Sequence, residues 1–197
     1  MFKLRTAMAV GLTLLLSATS VMPTMAARVY NADTNTWEEP TPIQARARRG
    51  SPIKKEVVDY ATRYKPGTIV IETDERRLYL VLEDGKALRY GVGVGRDGFT
   101  WSGTHRITRK AEWPGWTPPA QMRKRVPDLP AYMPGGPDNP LGARALYIGS
   151  TLYRVHGTSE PWSIGQAVSS GCIRLTNEDV ADLYDRVNVG ATIVVNH

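Results

Sequence analysis

From Gly67 onward the chain is written in short β-branched and aliphatic runs separated by turn residues, and that texture restricts it to a mainly β domain. Thr68-Ile69-Val70-Ile71 and Arg77-Leu78-Tyr79-Leu80-Val81-Leu82 are two such runs, and Glu83-Asp84-Gly85-Lys86 joins the second to Ala87–Val94 as a hairpin turn, so antiparallel strands are expected. Gly91, Gly93 and Gly95 alternate with Val92 and Val94. A dinucleotide fingerprint would need a helix directly after the glycines, whereas Arg96-Asp97-Gly98 leads to Trp101-Ser102-Gly103-Thr104, another turn and strand. The glycines therefore read as a strand in tight packing.

Residues 109–142 carry prolines throughout, from Pro114 to Pro140, and little regular structure is expected there. The embedded Trp113, Trp116, Tyr132 and Met133 point to an ordered loop, either a lid over a site or an excursion that packs its own aromatics. Ala145–Ile148 and Leu152–Val155 read as two more strands that deliver the chain to His156. Further on, Thr176 or Asn177 caps a helix with Glu178 and Asp179 in its first turn and Val180, Leu183, Tyr184 and Val187 at helical spacing. Thr192–Val195 closes the chain with a strand. The expected architecture is a mixed sheet curled into a sandwich or partial barrel, with one helix near the C-terminus, in one domain over 67–197.

The start of the chain has a different character. Lys3 and Arg5 precede an apolar run from Ala7 to Leu16, and Thr24-Met25-Ala26 supplies small residues for cleavage, so residues 1–26 read as a secretory signal peptide. The run is shorter than the roughly 20 apolar residues of a spanning helix. Residues 27–66 are rich in Pro, Thr, Arg and Ala and read as a basic linker with a short helical candidate around Lys54 to Tyr64. Loss of Lys3 and Arg5 lowers the formal charge from +6 to +4. With positive residues dispersed outside Arg46–Lys55 and no basic stripe interleaved with aromatics, nucleic acid is not an expected partner. A basic leader suits an anionic wall polymer or membrane surface better.

Cys172 is the only cysteine, which excludes an internal disulfide and a thiolate zinc cluster. A lone thiol in an exported protein is either a small buried hydrophobe or a nucleophile. His156-Gly157-Thr158 follows a strand end, and Ser169-Ser170-Gly171-Cys172-Ile173-Arg174 follows a turn-rich connection, so the fold can bring imidazole and thiol together. The histidine would take the thiol proton and the Gly157 carbonyl, or that of a nearby loop residue, would orient the ring. Gly171 permits close backbone approach, and the amides of Gly171 and Cys172 are candidate donors to an oxyanion, with the Ser169 and Ser170 hydroxyls beside them. Arg174 suits either a substrate carboxylate or a structural ion pair. His105 and His197 have no metal-ligand spacing with His156, so no metal is expected.

His156-Gly157-Thr158 followed by Ser170-Gly171-Cys172-Ile173-Arg174 resembles the signature of the L,D-transpeptidase catalytic domain, the family also called YkuD or ErfK/YbiS-like. The resemblance runs from about Gly67 to Asn196 and includes Gly91–Gly95, Asn139-Pro140-Leu141-Gly142 and Ala145-Leu146-Tyr147. Many family members have histidine where Ser170 stands; serine also occurs there. The resemblance implies Cys172 as nucleophile, His156 as acid/base, Gly157 as its orienting carbonyl, and Tyr147 with the 109–142 aromatics as substrate cover. It implies attack on the diaminopimelate carbonyl of a peptidoglycan stem tetrapeptide, release of D-alanine, and transfer from a thioester to an amine without a cofactor. That amine would belong to another stem peptide or to an outer-membrane or wall-anchored protein, and the enzyme would work in the periplasm or cell envelope. The alternatives are L,D-carboxypeptidase action, with water resolving the thioester, and a non-catalytic wall-binding module.

Overall fold

The computed structural model describes residues 29–31, 36–38 and 51–197; the segment read as a signal peptide lies outside them. Among the described residues thirteen strands and two α-helices follow one another, with a 3-10 helix at Pro161–Ser163 after β10: β1 Val29–Asn31, β2 Thr36–Glu38, β3 Glu56–Asp59, β4 Ile69–Glu72, β5 Arg77–Val81, β6 Lys86–Gly91, β7 Val94–Gly95, β8 Gly103–Glu112, α1 Ala120–Arg125, β9 Arg144–Ile148, β10 Arg154–His156, β11 Ala167–Ser169, β12 Ile173–Arg174, α2 Asn177–Arg186 and β13 Thr192–Asn196. Strands β1 and β2 pair with each other. No helix among the described residues is long and apolar enough to cross a membrane.

Nine strands form the main sheet in the order β12-β10-β9-β8-β13-β4-β5-β6-β3. Its pairings are antiparallel except β10 with β12 and β13 with β4, so the sheet is mixed, as expected. The β5–β6 hairpin turns on Asp84 and Gly85, both at positive φ (57° and 66°), the geometry a two-residue turn needs to match strand twist. Beyond β6 the chain crosses to the far edge, where Gly93 and Arg174 exchange both backbone hydrogen bonds (2.9 and 2.8 Å). That bridge curls the sheet without closing a barrel. It requires glycine, because a Cβ at Gly93 would lie 2.9 Å from the Ser163 carbonyl oxygen.

Strand alternation divides the core. Ile69, Ile71, Leu78, Leu80, Ile107, Leu146, Ile148, Val155 and Ile173 join Val180 and Leu183 of α2 in the main cluster, while Val70, Tyr79, Val81 and Ala87 face the other way. Each such fully buried side chain contributes about 1.5–3 kcal/mol. The second face is covered by Val58, Tyr60 and Tyr64, with Tyr60 stacked on Tyr79 at 4.6 Å. The helix expected around Lys54 to Tyr64 is therefore a correction: Glu56–Asp59 is an edge strand paired with β6. The run Arg77–Val81 is apolar on both faces, and a sheet buried on both sides needs cover on both sides.

The proline-rich segment also departs from expectation. It contains α1, which starts after Pro119 and runs where prolines are missing. Trp116, Leu129 and Leu141 make their own small core with Met122, Val126 and Met133. Asn139 fastens this loop, donating its amide to the carbonyls of Met133 and Pro134 (3.2 and 2.9 Å) and accepting from the Leu141 N–H (2.9 Å).

Candidate active site

Two short parallel strands place the residues singled out in the sequence. Val155 pairs with Ile173 and His156 with Arg174. Val155 and Ile173 are 0% and 1% exposed and belong to the core, so His156 and Arg174 project from the opposite face, as does Arg154 at the start of β10, while Cys172 lies in the turn immediately before β12. The charges of Arg154 and Arg174 act on both the thiol and the imidazole. The Arg154 N–H donates toward the cysteine sulfur.

His156 is 4% exposed, and its Nδ1 lies 2.5 Å from the Gly157 carbonyl oxygen. A carbonyl only accepts, so Nδ1 carries the proton and Nε2 keeps its lone pair in the neutral ring. Burial and the facing Arg174 guanidinium depress the imidazole to about 3, against the pull of the Gly157 and Leu141 carbonyls. Burial likewise pushes the Cys172 thiol up, opposed by Arg154 and Arg174. Both shifts favour the uncharged forms, a thiol and a neutral imidazole.

The turn before the thiol is organised differently from the sequence expectation. Ser169 is 2% exposed; its hydroxyl accepts from the Gly171 N–H (3.1 Å) and donates to the Cys172 carbonyl (2.6 Å). The Ser169 hydroxyl and the Gly171 amide are thus bonded to each other in shaping the turn. Ser170 is exposed beside them. Gly171 sits at φ 99°, and a Cβ there would fall 2.4 Å from the Tyr153 ring. Tyr153 stacks on Trp101 (4.7 Å, 3° between planes), whose indole N–H donates to the Gly171 carbonyl at 2.7 Å.

Of the two expectations for Arg174, the ion pair is present. Its Nη1 lies 2.9 Å from Glu160, and both side chains are 14% exposed. Thr158 helps to deliver that partner by accepting from the Glu160 N–H at 2.9 Å. Below the histidine, Thr176 rather than Asn177 caps α2, accepting from the Asp179 N–H. Asn177 instead accepts from the Ala143 N–H at 2.9 Å, and its Oδ1 would lie 2.3 Å from any Cβ at Gly157.

Tyr147 faces the same way as Arg154 and His156, since it pairs with Arg154. Of the loop aromatics, Trp116 is buried within the loop's own core, whereas Trp113 and Tyr132 are 44% and 59% exposed. Sequence reasoning missed Trp101, Asn177, Glu160 and Arg154. Only Arg154 had a local signal, its position two residues before His156 on one strand.

A mixed β domain with a carbonyl-held histidine at the end of one strand and a cysteine just before the parallel strand beside it defines the class of protein. The chain belongs to the YkuD family, the L,D-transpeptidase catalytic domain, whose sequence model matches residues 66–195. It is 42% identical over 136 residues to ErfK/SrfK of Escherichia coli K12, named a probable L,D-transpeptidase, covering 64% of this chain and 43% of that protein. The chain therefore spans less than half the length of that curated relative. A crystal structure from Brucella melitensis, named a probable carnitine operon oxidoreductase, is 43% identical with TM-score 0.52, covering 77% of this chain and 98% of that one. L,D-transpeptidase 3 of Mycobacterium tuberculosis, in complex with a faropenem-derived adduct, shares the fold at 20% identity and TM-score 0.51, covering 66% and 60%.

Proposed function

We propose that this chain is a cysteine-dependent L,D-transpeptidase acting on peptidoglycan stem peptides in the cell envelope. The observation that carries the reading is Cys172 at the head of β12, beside the parallel strand that ends in His156, with Nδ1 of the imidazole held by the Gly157 carbonyl.

The histidine Nε2 takes the thiol proton as sulfur attacks the carbonyl of the L-centred diaminopimelate residue in a tetrapeptide stem. The Cys172 N–H is the donor expected to face the developing oxyanion, since the Gly171 N–H is engaged by Ser169. Collapse of the tetrahedral intermediate breaks the amide bond, and His156 passes its proton to the departing amine of D-alanine. A thioester remains on Cys172. An acceptor amine then attacks, loses a proton to Nε2 and forms an amide, and the thiolate leaves and recovers that proton. The acceptor is a second diaminopimelate amine, giving a 3-3 cross-link, or an amine of a wall-anchored protein. Substrate outside the cytoplasmic membrane agrees with the export signal read in residues 1–26. Trp113 and Tyr132, exposed at the edge of the loop, are the aromatics that suit a cover over the bound stem.

Purified protein incubated with tetrapeptide muropeptides should release D-alanine and yield cross-linked dimers, and Cys172→Ala should abolish both while its circular dichroism is unchanged. Full activity in the variant would overturn the reading. Tripeptides without dimers would replace the amine acceptor by water.

A further inference from the structure

A row of side chains runs across the sheet to the thiol. Arg109 on β8 pairs with Tyr147 on β9, and Tyr147 pairs with Arg154 on β10. Arg154 in turn acts on Cys172 through its charge and its backbone N–H. Directly opposed residues on neighbouring strands share a face, so Arg109, Tyr147 and Arg154 lie in line on the side away from the core.

The two guanidiniums sit on either side of the phenol ring, 3.5 Å from its centroid for Arg109 and 5.6 Å for Arg154. A stacked guanidinium keeps its N–H edges available to an acceptor. Neighbouring arginines use such edges on carboxylates: Arg174 on Glu160, Arg144 on Glu112 and Arg186 on Asp182. Among the described residues neither Arg109 nor Arg154 has an acidic partner. Arg154 Nε is buried without a hydrogen-bond partner, next to the nucleophile. A protein seldom leaves a buried donor unsatisfied, and two unpaired cations flanking one ring repel each other until an anion joins them. Arg109 is exposed and Tyr147 and Arg154 half-buried, so the row is open to a ligand.

We propose that Arg109, Tyr147 and Arg154 form a carboxylate subsite that reads a free acid on the stem peptide, so that this enzyme discriminates against its amide. The planar oxyanion fits the guanidinium fork of Arg154, with Arg109 adding charge at the outer end and Tyr147 holding both cations. The proposal rests on the peptidoglycan reading above. A tetrapeptide stem carries two carboxylates near the scissile bond, the side-chain carboxylate of diaminopimelate and the terminal one of D-alanine. Both have the chemistry required.

Three synthetic donors separate the sources: the free tetrapeptide, the tetrapeptide amidated on the diaminopimelate side chain, and the tetrapeptide amidated at its C-terminus. Release of D-alanine, or of D-alaninamide from the third, is followed for the native protein and for Arg154→Gln and Arg109→Gln. Binding of each donor to Cys172→Ala, with and without Arg154→Gln, is measured by calorimetry. One amide should react about 10- to 100-fold more slowly than the acid, mainly through KM. Arg154→Gln should erase that ratio, whatever it does to the rate common to all three donors, Arg109→Gln should narrow it, and the binding data should follow the same pattern. Equal handling of all three donors by the native protein, or an acid-to-amide ratio that survives Arg154→Gln, overturns the subsite. Donors that bind Cys172→Ala with the expected acid preference but release nothing from the native protein would sink the transpeptidase reading and leave the subsite standing.

Discussion

Trp101 holds the turn that carries Cys172: its indole N–H donates to the carbonyl of Gly171, the preceding residue, at 2.7 Å. The same ring stacks on Tyr153, against which a Gly171 side chain would collide. A wall of two aromatics therefore stands behind the thiol, and Ser169 ties the turn from the other side.

Trp101→Phe keeps much of the stacking and removes the hydrogen bond. Loss of one such bond costs about 1 kcal/mol of stability. Acylation of Cys172 should slow about tenfold because the thiol is less firmly aimed, as a misplaced nucleophile loses rate more than affinity. A mass-resolved time course with a carbapenem, beside a thermal melt, measures both effects.

Acid should act on this protein through His156. Its folded-state value, depressed to about 3 by burial and Arg174, lies below the usual value of about 6.5 in an unfolded chain. Between those two pH values the unfolded chain binds the additional proton, so this group's stabilisation is whole above pH about 6.5 and is lost as pH falls through about 3. Urea midpoints of native protein and His156→Gln, compared at pH 7 and pH 4.5, should show a smaller acid loss in the variant. The acylation rate should likewise show no break near pH 6.5, since the neutral imidazole required as base persists below it.

Gly157→Ala should be far more damaging than a methyl group suggests. The new Cβ would lie 2.3 Å from Asn177 Oδ1, which is fixed by the Ala143 N–H, and 3.0 Å from that same nitrogen. Overpacking of this kind costs about 1–3 kcal/mol, and backbone relaxation here moves the carbonyl that orients His156. Denaturant titration should show the stability loss, and carbapenem acylation should fall by about 10-fold or more.

The Arg174–Glu160 pair supports the structure and is separable from catalysis. With both partners 14% exposed, Glu160→Gln alone leaves a poorly solvated guanidinium and should cost about 2–4 kcal/mol. The double variant Glu160→Gln with Arg174→Met should recover part of that loss in urea denaturation. A rise in KM for the tetrapeptide in the double variant, at recovered stability, would return Arg174 to substrate binding.

Much of this was readable along the chain because it depends on near neighbours. The Asp84-Gly85 turn, the alternating runs of β4 and β5, the cap of α2 at Thr176 and the position of His156 at a strand end are local signals. The edge strand Glu56–Asp59 was not readable, because its polar sequence has no pattern apart from the hairpin it joins. The mutual hydrogen bonding of Ser169 and Gly171 depends on a turn that Trp101 and Tyr153, distant in sequence, help to hold in shape.

The order of residues was enough to determine a mainly β domain and the family whose signature surrounds Cys172 and His156. Side-chain company across the sheet was decided by tertiary structure: Arg174 with Glu160, and Arg109 and Arg154 with Tyr147. Strand register is the reason. Alternation along a strand assigns each residue to a face, but which residue stands opposite it is set by contacts between distant segments.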